Sequence, residues 1–92
     1  MYSNIQEIRV THEGHWFDQS NMRMFGTRFV SPVLGGRYFV TSERNFDATR
    51  RLFTVRRADD SGDIETVGEF QAYTTRHRAI QAAYEAADAE ED

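Results

Sequence analysis

The sequence predicts a single α+β domain: an antiparallel β-meander of four to five strands, with a C-terminal helix packed on one face and a short N-terminal helix. Three observations support this prediction. Strand-sized runs flank the pair Gly35-Gly36, which is typical of a two-residue hairpin turn. A polar cluster at residues 59–63 separates two further runs, and an alanine-rich segment near the end has apolar residues at helical spacing.

One short strand and one short helix are predicted in the N-terminal third of the chain. Residues 4–11 alternate apolar and polar side chains imperfectly, which favours a strand. Polar side chains at residues 18–21 can cap a helix over residues 19–25, and Gly26 can close it in a left-handed conformation. Trp16 and Phe17, just before this helix, are expected to anchor the core.

The meander is predicted from four runs. Pro32 lacks a backbone N–H and restricts the first of them to a sheet edge or a bulge. The predicted strands cover residues 27–34, 37–42, 50–58 and 64–72. In the last hairpin we expect Val55 opposite Val67 and Arg57 opposite Glu65, because this register pairs apolar with apolar and plus with minus.

The C-terminal helix is predicted to begin after Thr74 or Thr75 and to run to about Ala87. Its apolar stripe has the spacing i, i+3, i+4 and i+7, and comprises Ile80, Ala83, Tyr84 and Ala87. The domain therefore spans residues 1–87. Residues 88–92 form an acidic tail that opposes the helix dipole and is expected to be disordered.

The charge of the chain is segregated. All eleven basic residues are arginine, and eight lie between Arg23 and Arg57 against two acids, so that stretch has a net charge of +6 while the chain has −4. Guanidinium groups bind carboxylates and phosphates bidentately and stack on aromatic rings. The pattern favours a basic, aromatic binding surface, with no cofactor and no enzyme activity.

The sheet is expected to carry that surface. Strand 50–58 has both apolar residues and arginines on each face, and one helix covers only one face of a small sheet. Arginine and aromatic residues are enriched at interface hot spots. The predicted partner-binding residues are Arg37, Phe39, Arg51, Phe53 and Arg57. In the alternative, the short helix with Trp16 and Phe17 covers the second face, and the arginine stems are packing.

Other kinds of site have weaker support. His12 and His15 are weak metal candidates together with Glu13 and Asp18, but they surround a glycine in a turn and no third ligand is placed by spacing. Neither a nucleophile elbow nor a glycine-rich phosphate loop occurs. The charged residues at 43–49 are interpreted as an ordinary hairpin loop rather than an acid–base site.

The composition also predicts the compartment. Without cysteine there is no disulfide, no thiolate metal site and no cysteine nucleophile. No apolar run approaches the roughly 18–20 residues of a membrane span, and no signal-like segment begins the chain. These features predict a soluble protein of the cytoplasm with no membrane partner.

Four blocks in order resemble a group of small uncharacterised bacteriophage proteins over about residues 15–85. The blocks are MRMFGTR at 22–28, GRYFVTSE at 36–43, RRLFTVRR at 50–57 and GDIETVGEFQ at 62–71. The resemblance implies a phage or prophage origin, in a GC-rich host such as an actinobacterium. It supplies no catalytic residues. Small phage accessory proteins often bind and inhibit host proteins. The same role is expected here by analogy, on the basis of the implied phage origin.

The predicted function is therefore that of a non-enzymatic phage accessory protein that binds an acidic surface of a host protein, such as a defence or transcription component. One alternative is a nucleic-acid-binding module that uses the same arginines and rings. Another is a homodimer formed through the uncovered sheet face or the Pro32-bearing edge strand.

Overall fold

The computed structural model describes residues 1–12, 19–45, 47, 49–61 and 63–90. Its four strands form one antiparallel sheet in the order β1-β2-β3-β4, which confirms the predicted α+β fold with a C-terminal helix and a short N-terminal helix. The elements in chain order are α1 Ile5–Thr11, α2 Gln19–Phe25, β1 Arg28–Phe29, β2 Tyr38–Arg44, β3 Arg51–Ala58, β4 Ile64–Thr66 and α3 Arg76–Glu90.

Residues 4–11 were predicted as a strand from their alternation of apolar and polar side chains. In the structure Asn4 caps helix α1, which covers Ile5–Thr11. The cap explains the difference. Asn4 Oδ1 accepts a hydrogen bond from Glu7 N at 3.0 Å, and Glu7 Oε2 accepts one from Ser3 N at 2.6 Å. This reciprocal capping satisfies N–H groups at the start of the helix, and the three-residue spacing of Ile5 and Ile8 then suits one helix face.

The pairing of β2 with β3 forms the centre of the sheet and runs from Tyr38↔Arg57 to Arg44↔Arg51. At one edge, β1 has only two residues. Beyond β1, Val40 N donates to Ser31 Oγ at 2.9 Å. A side-chain oxygen thus takes the place of a backbone carbonyl as the acceptor, just before Pro32. The predicted edge position of this segment is confirmed, although the regular strand is shorter than residues 27–34.

The predicted Gly35-Gly36 turn is present with one more residue than expected. Leu34 and Tyr38 exchange both backbone hydrogen bonds, at 2.7 and 2.9 Å, so the loop has three residues. Both glycines have positive φ, 61° and 79°. A Cβ on Gly35 would lie 2.7 Å from Ala87 Cβ, so this turn also lets the end of α3 approach closely.

The register of the last hairpin is as predicted. Arg57 pairs with Glu65, and Val67 N donates to Val55 O at 2.9 Å. The strand ends at Thr66 rather than near residue 72, because Gly68 and Gln71 both adopt positive φ and turn the chain. Gln71 N then donates to Thr54 Oγ1 at 2.9 Å, so this segment crosses the sheet face that carries Thr54.

Both faces of the sheet are covered, so the expectation of an open face is wrong. On one face α3 packs on Val40 and Val55 through a stripe of alanines with a spacing of four, Ala79, Ala83 and Ala87. On the other face, Ile8 of α1 packs on Phe39 and Ala58. Of the predicted helix stripe, Ala83 and Ala87 are buried and Tyr84 is exposed.

Helix α3 begins and ends with side-chain contacts. Thr75 Oγ1 accepts a hydrogen bond from Arg78 N at 3.3 Å, which identifies the capping threonine. The helix continues to Glu90, three residues beyond the predicted end near Ala87, because Glu90 is bound by Arg57 of β3. The expected disorder of the tail is therefore wrong for residues 88–90. Residues 91 and 92 lie outside the described residues.

A buried polar cluster lies beneath residues 68–72. Glu43, which the sequence placed in a loop, is 1% exposed in β2, and Arg56 is 5% exposed in β3. Arg56 Nη2 lies 3.6 Å from Glu43 Oε1, and Thr54 Oγ1 donates to the same oxygen at 2.8 Å. Arg56 Nη1 also donates to Thr66 Oγ1 at 2.9 Å, while burial lowers the pKa of Arg56 from its ordinary value.

We expect Arg56→Met to destabilise the fold strongly, because it leaves the buried Glu43 carboxylate without its cation. The expected loss in the free energy of unfolding is about 3–5 kcal/mol, measured by urea denaturation. The double variant Arg56→Met/Glu43→Leu should recover most of that loss, since it removes the unpaired charge as well. A single variant as stable as the double variant would contradict the assigned role of the pair.

Candidate anion-binding site

Two of the predicted partner-binding residues are aromatic, and the structure places both in the core. Phe39 is 0% exposed and packs with Ile8 and Ala58, so its prediction as an interface anchor is corrected. Phe53 is half-buried and packs against the cluster under α3. The sequence could not separate these faces because arginines occur on both sides of β3.

Arg37 and Arg57 are engaged in ion pairs within the chain. Arg57 Nη1 lies 3.1 Å from Glu65 Oε1, and Arg57 Nη2 makes a close contact with Glu90 Oε1. The hydrogen bond with Glu90 raises the pKa of Arg57 and lowers the pKa of Glu90. Arg37 Nη2 lies 2.7 Å from Asp60 Oδ2, and that hydrogen bond lowers the pKa of Asp60. Arg57 therefore joins β3 to β4 and α3, and both guanidinium groups are engaged within the chain.

Arg51, the fifth predicted residue, is held by neutral groups instead. Its Nε donates to Ser42 Oγ and its Nη2 to Ser42 O, both at 3.0 Å. Nη2 also donates to the carbonyl oxygen of Gly26. Within the described ranges no carboxylate forms an ion pair with Arg51, so its guanidinium is fixed in place while its charge stays uncompensated by a direct contact.

A cleft of about 420 Å³ opens beside Arg51. Five different elements each contribute one arginine to it, and we call this group the arginine cleft: Arg9 from α1, Arg23 from α2, Arg28 from β1, Arg44 from β2 and Arg51 from β3. The remaining described lining residues are Met22, Gly26 and Thr27, so the described part of the lining contains no acid. Such a group of side chains is suited to anions, because no described residue of the lining carries a negative charge that would neutralise the guanidinium groups.

The arginines of the cleft are close enough to repel one another. Burial lowers the pKa of Arg51, and the positive charges of Arg28 and Arg44 lower it further, while the carboxylate of Glu43 acts in the opposite direction. An anion bound in the cleft would remove this repulsion. The arrangement is therefore suited to electrostatic binding.

Gly26 holds the wall of the cleft together. It has a φ of 60°, and its carbonyl accepts the hydrogen bond from Arg51. A Cβ at this position would lie 2.9 Å from Arg44 Nε, so the guanidinium of Arg44 occupies the space that a side chain would need. Arg44 Nη2 also donates to Arg23 O at 3.5 Å, which ties β2 to the end of α2.

Two exposed rings lie beside the cleft in the chain. Phe25 and Phe70 are 44% and 48% exposed, and their ring centroids are 6.4 Å apart in an edge-to-face arrangement. Phe25 precedes Gly26, and Gln71, next to Phe70, donates from Nε2 to Arg44 O at 2.9 Å. Arginine and aromatic side chains therefore share one end of the molecule, which we call the basic end.

Four acids lie at the opposite end. Asp59, Asp60 and Asp63 follow β3, and Glu90 ends α3 next to Arg57. Arg57 pairs with Tyr38 at the start of β2, whereas Arg51 pairs with Arg44 at its end. Seven strand residues place these two ends about 20 Å apart.

Of the weak metal candidates, His12 alone lies in the part of the chain that is described. His12 is fully buried, with Nδ1 3.0 Å from Ile8 O and Nε2 without a hydrogen-bond partner. His15, Glu13 and Asp18 lie outside the described residues. Among residues 1–12, 19–45, 47, 49–61 and 63–90, no three histidine or acidic side chains group as metal ligands would.

Sequence reasoning missed four of the five cleft arginines. Three of them, Arg23, Arg28 and Arg44, belong to the basic stretch that the sequence singled out, so the charge clustering was a usable signal. Their convergence depends on the sheet topology, which joins residues far apart in the chain. Arg9 gave no signal, because its segment was predicted as a strand.

Comparison with known proteins places the chain in a family whose function is unknown. Residues 1–84 match the model of the family described as Family of unknown function (DUF7447), so the chain belongs to that family. No curated protein and no solved structure matches the chain. In the described residues, no helix has the length and apolar character needed to cross a membrane.

We expect Gly26→Ala to lower the free energy of unfolding by more than Gly68→Ala does. Both glycines have positive φ, which costs an L-residue about 1–2 kcal/mol. A Cβ at Gly68 meets no atom within 4 Å, whereas one at Gly26 meets Arg44. Urea denaturation measures both losses, and equal losses would contradict the close packing of Arg44 on Gly26.

We expect Glu90→Gln to lower the thermal midpoint at pH 7, and to lower it progressively less as the pH falls below 4.5. The pKa of Glu90 is below its ordinary value of 4.5, so its contribution is present above about pH 4.5 and is lost as the pH falls through the lowered pKa. Glu85→Gln on the same helix is the control, since Glu85 is exposed and forms no ion pair with a described residue. A pH-independent difference for Glu90→Gln would contradict the assignment.

Proposed function

We propose that this member of a family of unknown function is a non-enzymatic accessory protein that binds an acidic surface of a partner protein through its basic end. One observation carries the proposal: five arginines from five elements line a single cleft, and none of its described lining residues is an acid. A cleft of this kind is electrostatically incomplete, and a carboxylate-rich surface would complete it.

The neighbouring rings support a protein as the partner. Protein interfaces are enriched in arginine and aromatic residues, and their strongest contacts are anchors surrounded by polar groups. Phe25 and Phe70 are the exposed aromatic residues beside the cleft, and Arg44 connects the two features through its contacts with Gly26 and Gln71.

The proposed surface differs from the one expected from the sequence. That surface relied on an open sheet face, but Phe39 is in the core and Arg37 and Arg57 pair with acids of the same chain. Arg51 is the predicted residue that also belongs to the cleft. The binding surface thus moves from the middle of the sheet to the end where β2 finishes and β3 begins.

The resemblance of the four sequence blocks to phage proteins suggests where the partner is found. An accessory protein of a phage or prophage works in the cytoplasm of its host, and its target is a host protein. A defence or transcription component is the class that we propose, because interference with either benefits a phage.

A nucleic-acid-binding module is the second candidate, favoured by the exposed Phe25–Phe70 rings next to arginines. Single-stranded nucleic acids bind such surfaces by stacking bases on rings and aligning phosphates with arginines. Against it, the chain has a net charge of −4 and its opposite end is acidic, which repels a long polyanion. We therefore place it behind the protein partner.

Charge reversal in the cleft tests the proposal. With immobilised protein and nuclease-treated host lysate, we expect a retained partner, identified by mass spectrometry and then purified. Arg23→Glu should weaken its affinity at least tenfold, about 1.4 kcal/mol, whereas Arg78→Glu makes the same charge change on α3 and should have little effect.

Two results would overturn this function. The first is equal binding of the purified partner by wild type, Arg23→Glu and Arg78→Glu. The second is loss of all retention on nuclease treatment, together with direct binding of an oligonucleotide whose affinity falls linearly on a logarithmic scale with salt. The second result would establish the nucleic-acid candidate instead.

A further inference from the structure

Arg51 presents one free edge to the cleft. Its Nε and Nη2 groups are occupied by Ser42 and Gly26, which hold the guanidinium plane in a fixed orientation. None of the described residues accepts a hydrogen bond from Nη1. Arg51 is therefore a preorganised donor, and little conformational entropy would be lost when its Nη1 binds a ligand.

Arg28 and Arg44 flank this donor. Both are exposed, both line the cleft, and their charges act on Arg51. The side chain of Arg28 forms no hydrogen bond or ion pair with any described residue, so its guanidinium is available. Three positive charges from three adjacent strands thus surround one small space.

The number of charges indicates the ligand. A single carboxylate has one negative charge and two oxygens in one plane, which leaves most of this group uncompensated. A phosphate monoester has a charge of about −1.5 to −2 at pH 7 and three acceptor oxygens that point in different directions. It can meet guanidinium forks that approach from separate strands.

We propose that the arginine cleft is a subsite for a phosphate monoester on a side chain of the partner protein, with Arg51 at its base and Arg28 and Arg44 at its sides. This inference rests on the proposed function for the kind of partner. It adds the group that is recognised, so the partner is a phosphorylated protein segment.

The shape of the site favours a phosphorylated side chain over a nucleic-acid backbone. A backbone phosphodiester has a single negative charge, and a strand needs a basic groove that follows many phosphates. Here the arginines gather around one cleft of about 420 Å³, and the other end of the molecule is acidic. One compact dianion fits this distribution better than a long polyanion.

The first test uses inorganic phosphate with the full chain. In two-dimensional NMR of the arginine Nε–Hε groups at pH 7.5, we expect phosphate to shift the Arg51 signal and to bind at least tenfold more tightly than acetate at equal ionic strength. Arg28→Ala should weaken phosphate binding at least fivefold. Arg78→Ala, which removes the same charge outside the cleft, should leave it unchanged.

Arg51→Lys tests the orientation of the Nη1 donor, since lysine keeps the charge but loses the planar group that Ser42 and Gly26 hold in place. We expect at least a fivefold loss of phosphate affinity. Because Arg51 also ties Gly26 to Ser42, this variant can unfold, and Arg28→Ala is then decisive on its own. Equal binding of phosphate and acetate, or equal losses in Arg28→Ala and Arg78→Ala, would overturn the subsite.

The second test separates the sources of the phosphate. A phosphoserine peptide should bind at least tenfold more tightly than the same peptide with serine or aspartate, and more tightly than a 5′-phosphorylated dinucleotide. Tighter binding of the dinucleotide would overturn the assignment to a protein. If neither phosphate nor the phosphopeptide binds while Arg23→Glu still abolishes partner binding, the subsite fails and the proposed function stands.

Discussion

The antiparallel pairing of β2 with β3 joins seven residues of each strand, and every other regular element packs on or extends this ribbon. The register places Val40 beside Val55 on the side of α3, and it places Glu43 on the opposite face, where it meets Arg56. A slip of one residue would turn one strand over relative to the other, so Val40 and Val55 would lie on opposite faces and Glu43 would be separated from Arg56. The polarity of the molecule thus depends on one backbone register.

The same pairing explains why the arginines have such different roles. At one end of the ribbon Arg57 forms ion pairs with Glu65 of β4 and Glu90 of α3. At the other end Arg44 lies opposite Arg51, and no described acid forms an ion pair with either. In the middle, Arg56 is buried and paired with Glu43. Identical side chains therefore act as a structural tie, a buried ion and an open charge, according to what the neighbouring strand presents.

Turn residues and cross-strand pairs could be recognised in the sequence, so the features of the fold that depend on neighbouring residues were predicted. The register of Arg57 with Glu65 is present as predicted from side-chain pairing, and the segment before Pro32 lies at an edge, one of the two predicted positions. The glycine turn is also present, with three loop residues rather than the predicted two. Helix α1 was missed because seven residues are too few to separate a period of two from one of 3.6, and the capping pair Asn4 and Glu7 was decisive. The cleft was beyond local reasoning, since its arginines extend from residue 9 to residue 51 and meet only in the folded sheet.

The separation of Asp59, Asp60, Asp63 and Glu90 from the cleft arginines also favours an electric dipole along the strands. Such a dipole would turn the cleft towards an anionic partner about a Debye length before the first contact. Collisions that present the acidic end are repelled at the same time. Fewer encounters are then wasted, and association should slow markedly as added salt shortens the range of the field.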